Sequence, residues 1–386
     1  MTGWLLAALP GFVLWVGLLL LPWRPWSSRE RLDAEDSSSE EDLSEVTALV
    51  PARNEARVLA VTLPALAAQG RGLRIVLVDD QSEDGTAEAA LATGVPGLTV
   101  VRGSPTPPGW AGKVWALAQG FARVRTRLTL LADADIALSP GLVAALRGKL
   151  EREHLMLVSL TAESPMRGFW EKLLAPAFVY FFKLLYPFAL SNNAQSRRVA
   201  AAAGGCVLVD TWALRLIGGF TAIRSALIDD CALARAFKEC SFPTWIGLTR
   251  SAVSVRPWRG LAGIWNAVAR YAFEQLRHST VLLVLLSAVF LLAFVAPPAV
   301  ALAAPHALAK ALALAAMVAM AASYMPTLLY YGRSPLWAAA LPLIGVLYLG
   351  MTWTSAWRHW RGAGVQWKGR SYSQASAGVT PPGRAG

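Results

Sequence analysis

The residues best equipped for chemistry are pairs of carboxylates at the ends of apolar runs. Residues 128 to 137 read LTLLADADIA, an apolar run that stops at Asp133 and Asp135 with one small residue between them. An apolar run stopped by a turn-forming acid predicts a strand buried on both faces, its C-terminal end opening into a crevice where ligands bind. Alternation turns residues i and i+2 the same way, so Asp133 and Asp135 face one ligand if the extended geometry continues past Leu131. Two hard oxygen ligands suit Mg2+ or Mn2+, which takes its remaining ligands from water and a substrate diphosphate. An Asp-x-Asp also makes an ordinary polar turn, so its neighbours must decide.

Three other groups qualify. Residues 51 to 55 (PARNE) and 79 to 86 (DDQSEDGT) each follow an apolar run. Acids at a strand end can accept hydrogen bonds from a base N–H or from ribose hydroxyls, while Asp84 or Thr86 can cap the helix that follows. Lys113, in AGKVWALAQG, either offsets a diphosphate or sits on a solvated helix face. Asp229-Asp230 offers a carboxylate base, or else two acids complementing the dipole of a helix over 232–237.

The elements that position these groups are set into a membrane-type chain. Hydrophobic residues make up 55% of the 386 and charged residues 16%, well under the roughly 25% charged of ordinary soluble domains. Residues 33 to 45 hold seven of the 25 acids and no Lys or Arg, leaving 36 basic against 18 acidic residues, net +18, elsewhere. With apolar segments this long, such a charge points to anionic headgroups or anionic substrates, and no nucleic-acid motif is present. Cys206, Cys231 and Cys240 show neither paired nor metal-ligand spacing.

Residues 1–23 read as an uncleaved transmembrane anchor, with Arg24, Arg29 and Arg31 in the cytoplasm, and 24–45 as an acidic linker. From 46 to 257 short apolar runs alternate with amphipathic stretches, predicting an α/β sheet. Strands are expected at 46–50, 73–78, 98–101, 128–131 and 155–160, and helices near 58–69, 86–93, 114–123 and 140–151. The polar ends of the first, second and fourth strands should then share one edge. Residues 168–190 are apolar and aromatic but carry Glu171, Lys172 and Lys183, which predicts an interfacial segment or lid, or alternatively a buried helix pair. Residues 258–278 form an amphipathic interface helix with Leu261, Ile264, Trp265, Val268, Ala272 and Leu276 at helical spacing and Arg259, Asn266, Arg270 and Arg277 mostly on other faces. Residues 279–357 hold three apolar runs and 358–386 a basic tail. Three runs would carry that tail across the membrane, whereas its Arg358, Arg361, Lys368 and Arg370 favour the cytoplasm; either one run is re-entrant or the tail breaks the rule.

VPARNEA, VDDQSEDGT, LADAD and IDD, in that order over residues 44 to 280, resemble the family 2 glycosyltransferases of GT-A type. IGGF at 217–220 and WKGRSY at 367–372 look most like the hopanoid-biosynthesis-associated members and their ceramide glucosyltransferase relatives. The resemblance implies a GT-A Rossmann-like mixed sheet with helices on both faces, a nucleotide-sugar donor, Mg2+ or Mn2+, and a lipid acceptor at the bacterial inner membrane. By the same resemblance Pro51, Arg53 and Glu55 line the nucleotide pocket and Asp80 holds uracil or ribose. Asp133 touches the sugar-nucleotide and the metal, Asp135 the metal, Lys113 lies near the donor, and Asp230 is the catalytic base of an inverting transfer. Asp229, Glu274 and Arg277 fall on the acceptor or diphosphate side. Processive members end the domain with QxxRW; residues 274–278 here read EQLRH and retain only Arg277, which favours a single transfer over a polysaccharide or polyprenyl-phosphate sugar synthase. A non-catalytic scaffold or a transporter is the reading of another class. The apolar runs carry little ionisable material for transport, chiefly His306 and Lys310.

Overall fold

In a computed structural model, the described residues are 2–34, 41–258, 260–362, 366–367 and 370–371. Arg259, Lys368, residues 35–40 of the acidic linker and residues 372–386 of the basic tail lie outside them.

Helix α1 (Thr2–Leu20) leads through a linker to β1 (Val46–Ala52), α2 (Ala56–Ala67), β2 (Arg74–Asp79), α3 (Thr86–Ala92), β3 (Leu98–Arg102), α4 (Gly112–Phe121) and β4 (Leu128–Ala132). Then come β5 (Ile136–Leu138), α5 (Leu142–Arg152), β6 (Leu157–Glu163), α6 (Phe169–Leu185), α7 (Phe188–Ser191), β7 (Cys206–Asp210), α8 (Thr211–Leu216), α9 (Asp229–Glu239) and β8 (Thr244–Ser254). The five strands and four helices expected over 46–160 all form. Three further strands, β5, β7 and β8, had no sequence assignment.

Among the described residues the eight strands make one mixed sheet in the order β3-β2-β1-β4-β7-β6-β8-β5. β1, β2, β3 and β4 are parallel, β7 runs antiparallel between β4 and β6, and β5 runs antiparallel to β8. All strands but β7 and β5 therefore deliver their C-terminal ends to one edge, where those two bring their N-terminal ends.

Alternation along β1 separates the two faces. Val46, Ala48 and Val50 pack with Leu59, Leu63 and Leu66 of α2 and Leu146 of α5, whereas Leu49 packs with Val114 and Leu117 of α4 and Phe237 of α9. Buried Leu59, Leu63 and Leu66 keep the spacing that makes one helix face. Each such leucine contributes about 1.5–3 kcal/mol of burial. α4 packs tightly on the sheet at Gly120, where a Cβ would stand 2.3 Å from Leu49 Cδ1 and 2.6 Å from Val78 Cγ2.

Among the described residues four helices are long and apolar enough to cross a membrane: Gly3–Leu20, Thr280–Ala303, Ala307–Tyr330 and Pro335–Trp360. Before the last three lies α10 (Gly260–Gln275), which buries Ile264, Ala269 and Phe273. The second of the four comprises α11 (Thr280–Phe290), a π-turn and α12 (Ala296–Ala303); α13 (Ala307–Tyr330) and α14 (Leu341–Trp360) follow. Both ends of the last run meet elements attached to the sheet. Trp337 packs on Phe169 at the start of α6, with ring centroids 5.7 Å apart, and His359 stacks on His278 at 4.1 Å.

α6 fastens the sheet to this bundle. Tyr180 pairs with Ser323 of α13 at 2.6 Å, and Tyr348 of α14 donates to the Leu174 carbonyl at 2.9 Å. Two of its charges turn inward: Glu171 accepts from the backbone of Arg167 and Gly168, while Lys183 donates to the Ser27 carbonyl and to Ser28 and Thr327. Burial lowers the Lys183 ammonium to about 7. Phe169, Phe178 and Leu185 of the same helix are exposed.

Gly120→Ala is expected to push α4 off the sheet and cost about 1–3 kcal/mol, seen as a lower thermal unfolding midpoint in detergent. An unchanged midpoint would contradict the tight contact.

Candidate active site

At the strand-end edge, Lys113 in the first turn of α4 reaches across to β4 and α9. Its Nζ lies 2.8 Å from Asp133 Oδ1 and 3.2 Å from Asp229 Oδ2. Asp230, the next residue of α9, accepts the Gly204 N–H at 2.8 Å and the Cys231 N–H at 2.7 Å. Gly204 precedes β7 and floors the cluster. A Cβ there would stand 3.0 Å from Lys113 Nζ, 3.5 Å from Asp230 Oδ2 and 3.8 Å from Asp133 Oδ2. These groups, with Pro51 and an apolar wall that includes Phe220 and Ile223, line one cleft.

The electrostatics follow from crowding. Burial opposes the charge on Lys113, but Asp133, Asp229 and Asp230 outweigh it and hold the ammonium well above its ordinary range. Burial raises Asp133 against the pull of Lys113. Burial, then the neighbouring Asp229, push Asp230 up to about 6. A carboxylate titrating near neutrality and adjoining a cleft has the properties of a general base.

The extended geometry expected past Leu131 does not hold. β4 ends at Ala132, and the Ile136 N–H closes a turn onto the Asp133 carbonyl at 3.0 Å. Asp133 therefore faces Lys113, whereas Asp135 faces the Ser254 hydroxyl at 2.9 Å and Arg256 at 3.8 Å. The two acids remain within electrostatic reach, since Asp135 adds to the upward push on Asp133.

The loops after β1 and β2 are bonded to each other. Arg53, buried, donates to the carbonyls of Asp80 at 2.6 Å and Gln81 at 2.9 Å. The Glu55 N–H meets the Thr86 hydroxyl and the Ala56 N–H meets Asp84. Asp84 also accepts the Thr86 N–H at the start of α3, while the N-cap position itself is Gly85 and has no side-chain cap bond. Glu55 and Asp80 are buried, and the Glu55 carboxylate pairs with Arg256.

Pro51, Lys113, Asp133, Asp229 and Asp230 thus meet around one cleft, with Asp135 adjoining and Arg53, Glu55 and Asp80 in the neighbouring strand-end loops. Glu274 and Arg277 are not brought to the cluster: Glu274 bonds His278 at 2.9 Å and Arg277 is exposed. α10 instead turns Tyr271 toward it, within electrostatic reach of Lys113 and Asp229, and Gln275, which accepts from Tyr186 at 2.7 Å. Tyr186 in turn lies within reach of Asp230. Gly204 and Arg256 were also missed by the sequence. The doublet Gly204-Gly205 before an apolar run signalled a close approach; Arg256 had no signal, lying beyond a strand not recognised as one.

Residues 47–215 match the sequence model of Glycosyl transferase family 2. The 4,4'-diaponeurosporenoate glycosyltransferase of Staphylococcus haemolyticus is 24% identical over 222 residues, 56% of this chain and 58% of that one. The match thus spans less than two thirds of that relative's length. Among solved structures, the mannosyltransferase PcManGT from Pyrobaculum calidifontis, in complex with GDP-Man and Mn2+, superposes with a TM-score of 0.53 at 18% identity, covering 92% of this chain and 99% of that chain. The GT-A-type fold is therefore shared beyond the sheet.

Lys113→Met leaves three acids facing one another without their cation. It is expected to cost about 1–3 kcal/mol at pH 8, allowing for partial solvent screening. Carboxylates raised in the folded state are destabilising above their folded pKa, and the cost fades as pH falls through it. Denaturation at pH 8 and pH 5 should show the deficit shrinking at pH 5; a pH-independent deficit would contradict the charge account.

Proposed function

We propose that this chain is an inverting hexosyltransferase that moves one sugar from a nucleotide-sugar, UDP-linked by expectation, to a hydroxyl of a membrane lipid. The observation that carries the reading is Asp230 beside the Lys113 cluster, at a strand-end edge onto which the apolar helices α6 and α10 abut. The acceptor enters sideways from the bilayer between those helices, past Tyr186 and Gln275. A hopanoid or sphingolipid-like alcohol fits this route, and the lipid-like acceptor in the Staphylococcus relative's name supports it.

Asp230 takes the proton as the acceptor oxygen attacks the anomeric carbon, and the sugar's bond to the diphosphate breaks. With one base and no enzyme nucleophile, the centre inverts. Lys113 lies where a diphosphate's charge would gather, and Arg53, Glu55 and Asp80 frame the nucleotide. Among the described residues no group of three or more His, Cys, Asp or Glu side chains forms a metal cage. Asp133 and Asp135 stay within electrostatic reach of each other, and as hard oxygen donors they would hold Mg2+ or Mn2+, with water and the diphosphate supplying the remaining ligands. Such an ion would neutralise charge on the leaving diphosphate.

Placement in a bacterial inner membrane with the catalytic domain cytoplasmic is part of the proposal. Arg24, Arg29 and Arg31 after the first helix support it. So does the last run, whose two ends return to sheet-attached elements and which we read as re-entrant, keeping the basic tail on the catalytic side.

Detergent-purified protein given UDP- and GDP-sugars with bacterial lipid extract should release nucleotide only with lipid and divalent metal. Asp230→Asn should reduce this about 10²–10⁴-fold. Because Asp230 must be ionised and titrates near 6, kcat/KM should fall about tenfold per unit below that pH and level off above it. Binding of no nucleotide-sugar, with or without Mn2+, would refute the reading.

A further inference from the structure

Arg256 follows β8 and bridges the two halves of the donor side. Its guanidinium pairs with Glu55, at the end of β1, and its Nε lies 3.8 Å from Asp135 Oδ2 in the turn after β4. The backbone beneath it is fixed: the Val255 N–H donates to the Asp135 carbonyl at 2.8 Å, and the Arg256 N–H to the Ser254 hydroxyl at 3.2 Å. The side chains differ in exposure. Glu55 is 4% exposed and Arg256 44% exposed, so the carboxylate is enclosed while the guanidinium can be reached from solvent.

Arg256 thus spans from the loop after β1, where the nucleotide is proposed to sit, to the turn after β4 that carries the acids proposed for the metal. Resting on the donor site proposed above, two cations compete for Asp135: the divalent ion and Arg256. A doubly charged ion held by Asp135 would repel the nearby guanidinium, since like charges a few ångströms apart near a protein surface are only partly screened. The diphosphate arriving with the ion restores a partner, and the planar guanidinium fork matches phosphate oxygens two at a time.

We propose that Arg256 is an exchangeable counter-ion. In the empty site it neutralises Glu55 and Asp135, and on loading it yields Asp135 to the metal and turns to the donor diphosphate. It thereby favours metal and nucleotide binding together over either alone, and it contacts the leaving group.

The test uses the full chain in detergent, with Mn2+ alone, uridine, and UDP or GDP with and without Mn2+, read by calorimetry or thermal shift. Arg256→Gln should bind nucleoside diphosphate with Mn2+ about tenfold more weakly, the loss of one good charged contact. Uridine affinity should stay unchanged, and Mn2+ alone should bind more tightly because its competitor is gone. Arg256→Lys, which keeps the charge but loses the fork and safeguards the test should the Gln variant fold poorly, should show a smaller loss. Nucleoside diphosphate affinity within twofold of wild type in both variants would overturn the exchange, as would an equal loss for uridine, or Mn2+ alone binding no tighter. Wild-type protein that binds no nucleoside diphosphate with Mn2+ would overturn the donor-site reading as well, which separates the two failures.

Discussion

The site depends on one ammonium placed among three carboxylates. Lys113 comes from the start of α4, Asp133 from the end of β4, and Asp229 and Asp230 from the first turn of α9. Like charges this close and half withdrawn from water repel strongly, and a single cation is the cheapest way to keep them together. The three elements share the strand-end edge because β1, β2 and β4 run parallel while β7 returns between β4 and β6, delivering Gly204 into the gap. A side chain at Gly204 would occupy the space in which the acids and the lysine meet, so the cleft exists by the absence of a Cβ.

The acids divide their roles by surroundings. Asp230 rests on two backbone N–H groups yet is driven upward by burial and by Asp229. Asp133 is tied to Lys113, and Asp135 to Ser254 and Arg256. Both pairings set a cation beside an acid of the turn after β4.

The membrane part is joined to this centre through α6 and α10. Tyr180 and Ser323, and Tyr348 and the Leu174 carbonyl, lock α6 into the bundle. Tyr186 then bonds to Gln275 between α6 and α10, within electrostatic reach of Asp230. Lys183 pins the linker after α1 to the same helix through two backbone carbonyls and two hydroxyls. Its bonds are to neutral oxygens, and desolvation outweighs the opposing pull of Glu30, so the ammonium is lowered toward neutrality.

Much of this was legible in the chain. Val46–Ala52, Arg74–Asp79 and Leu128–Ala132 are continuous apolar runs ending in acids or turn residues, and parallel strands buried on both faces need that pattern. The apolar helices read directly from length and composition. β8 escaped notice because Thr244–Ser254 mixes Gly247, Arg250 and hydroxyl residues into its run, and β5 is three residues long. Local sequence determined which residues carried chemistry, because acids at strand ends and a membrane-type composition are properties of neighbours along the chain. Which of them meet was decided only by the tertiary structure. The turn at Asp133–Ile136 sent the paired acids to different partners, and the rotation of α10 set Tyr271 and Gln275, not Glu274 and Arg277, toward the site. Arg256 reached Glu55 across 201 positions of sequence. Contacts at such separation arise from strand order and helix packing, which no local pattern of residues encodes.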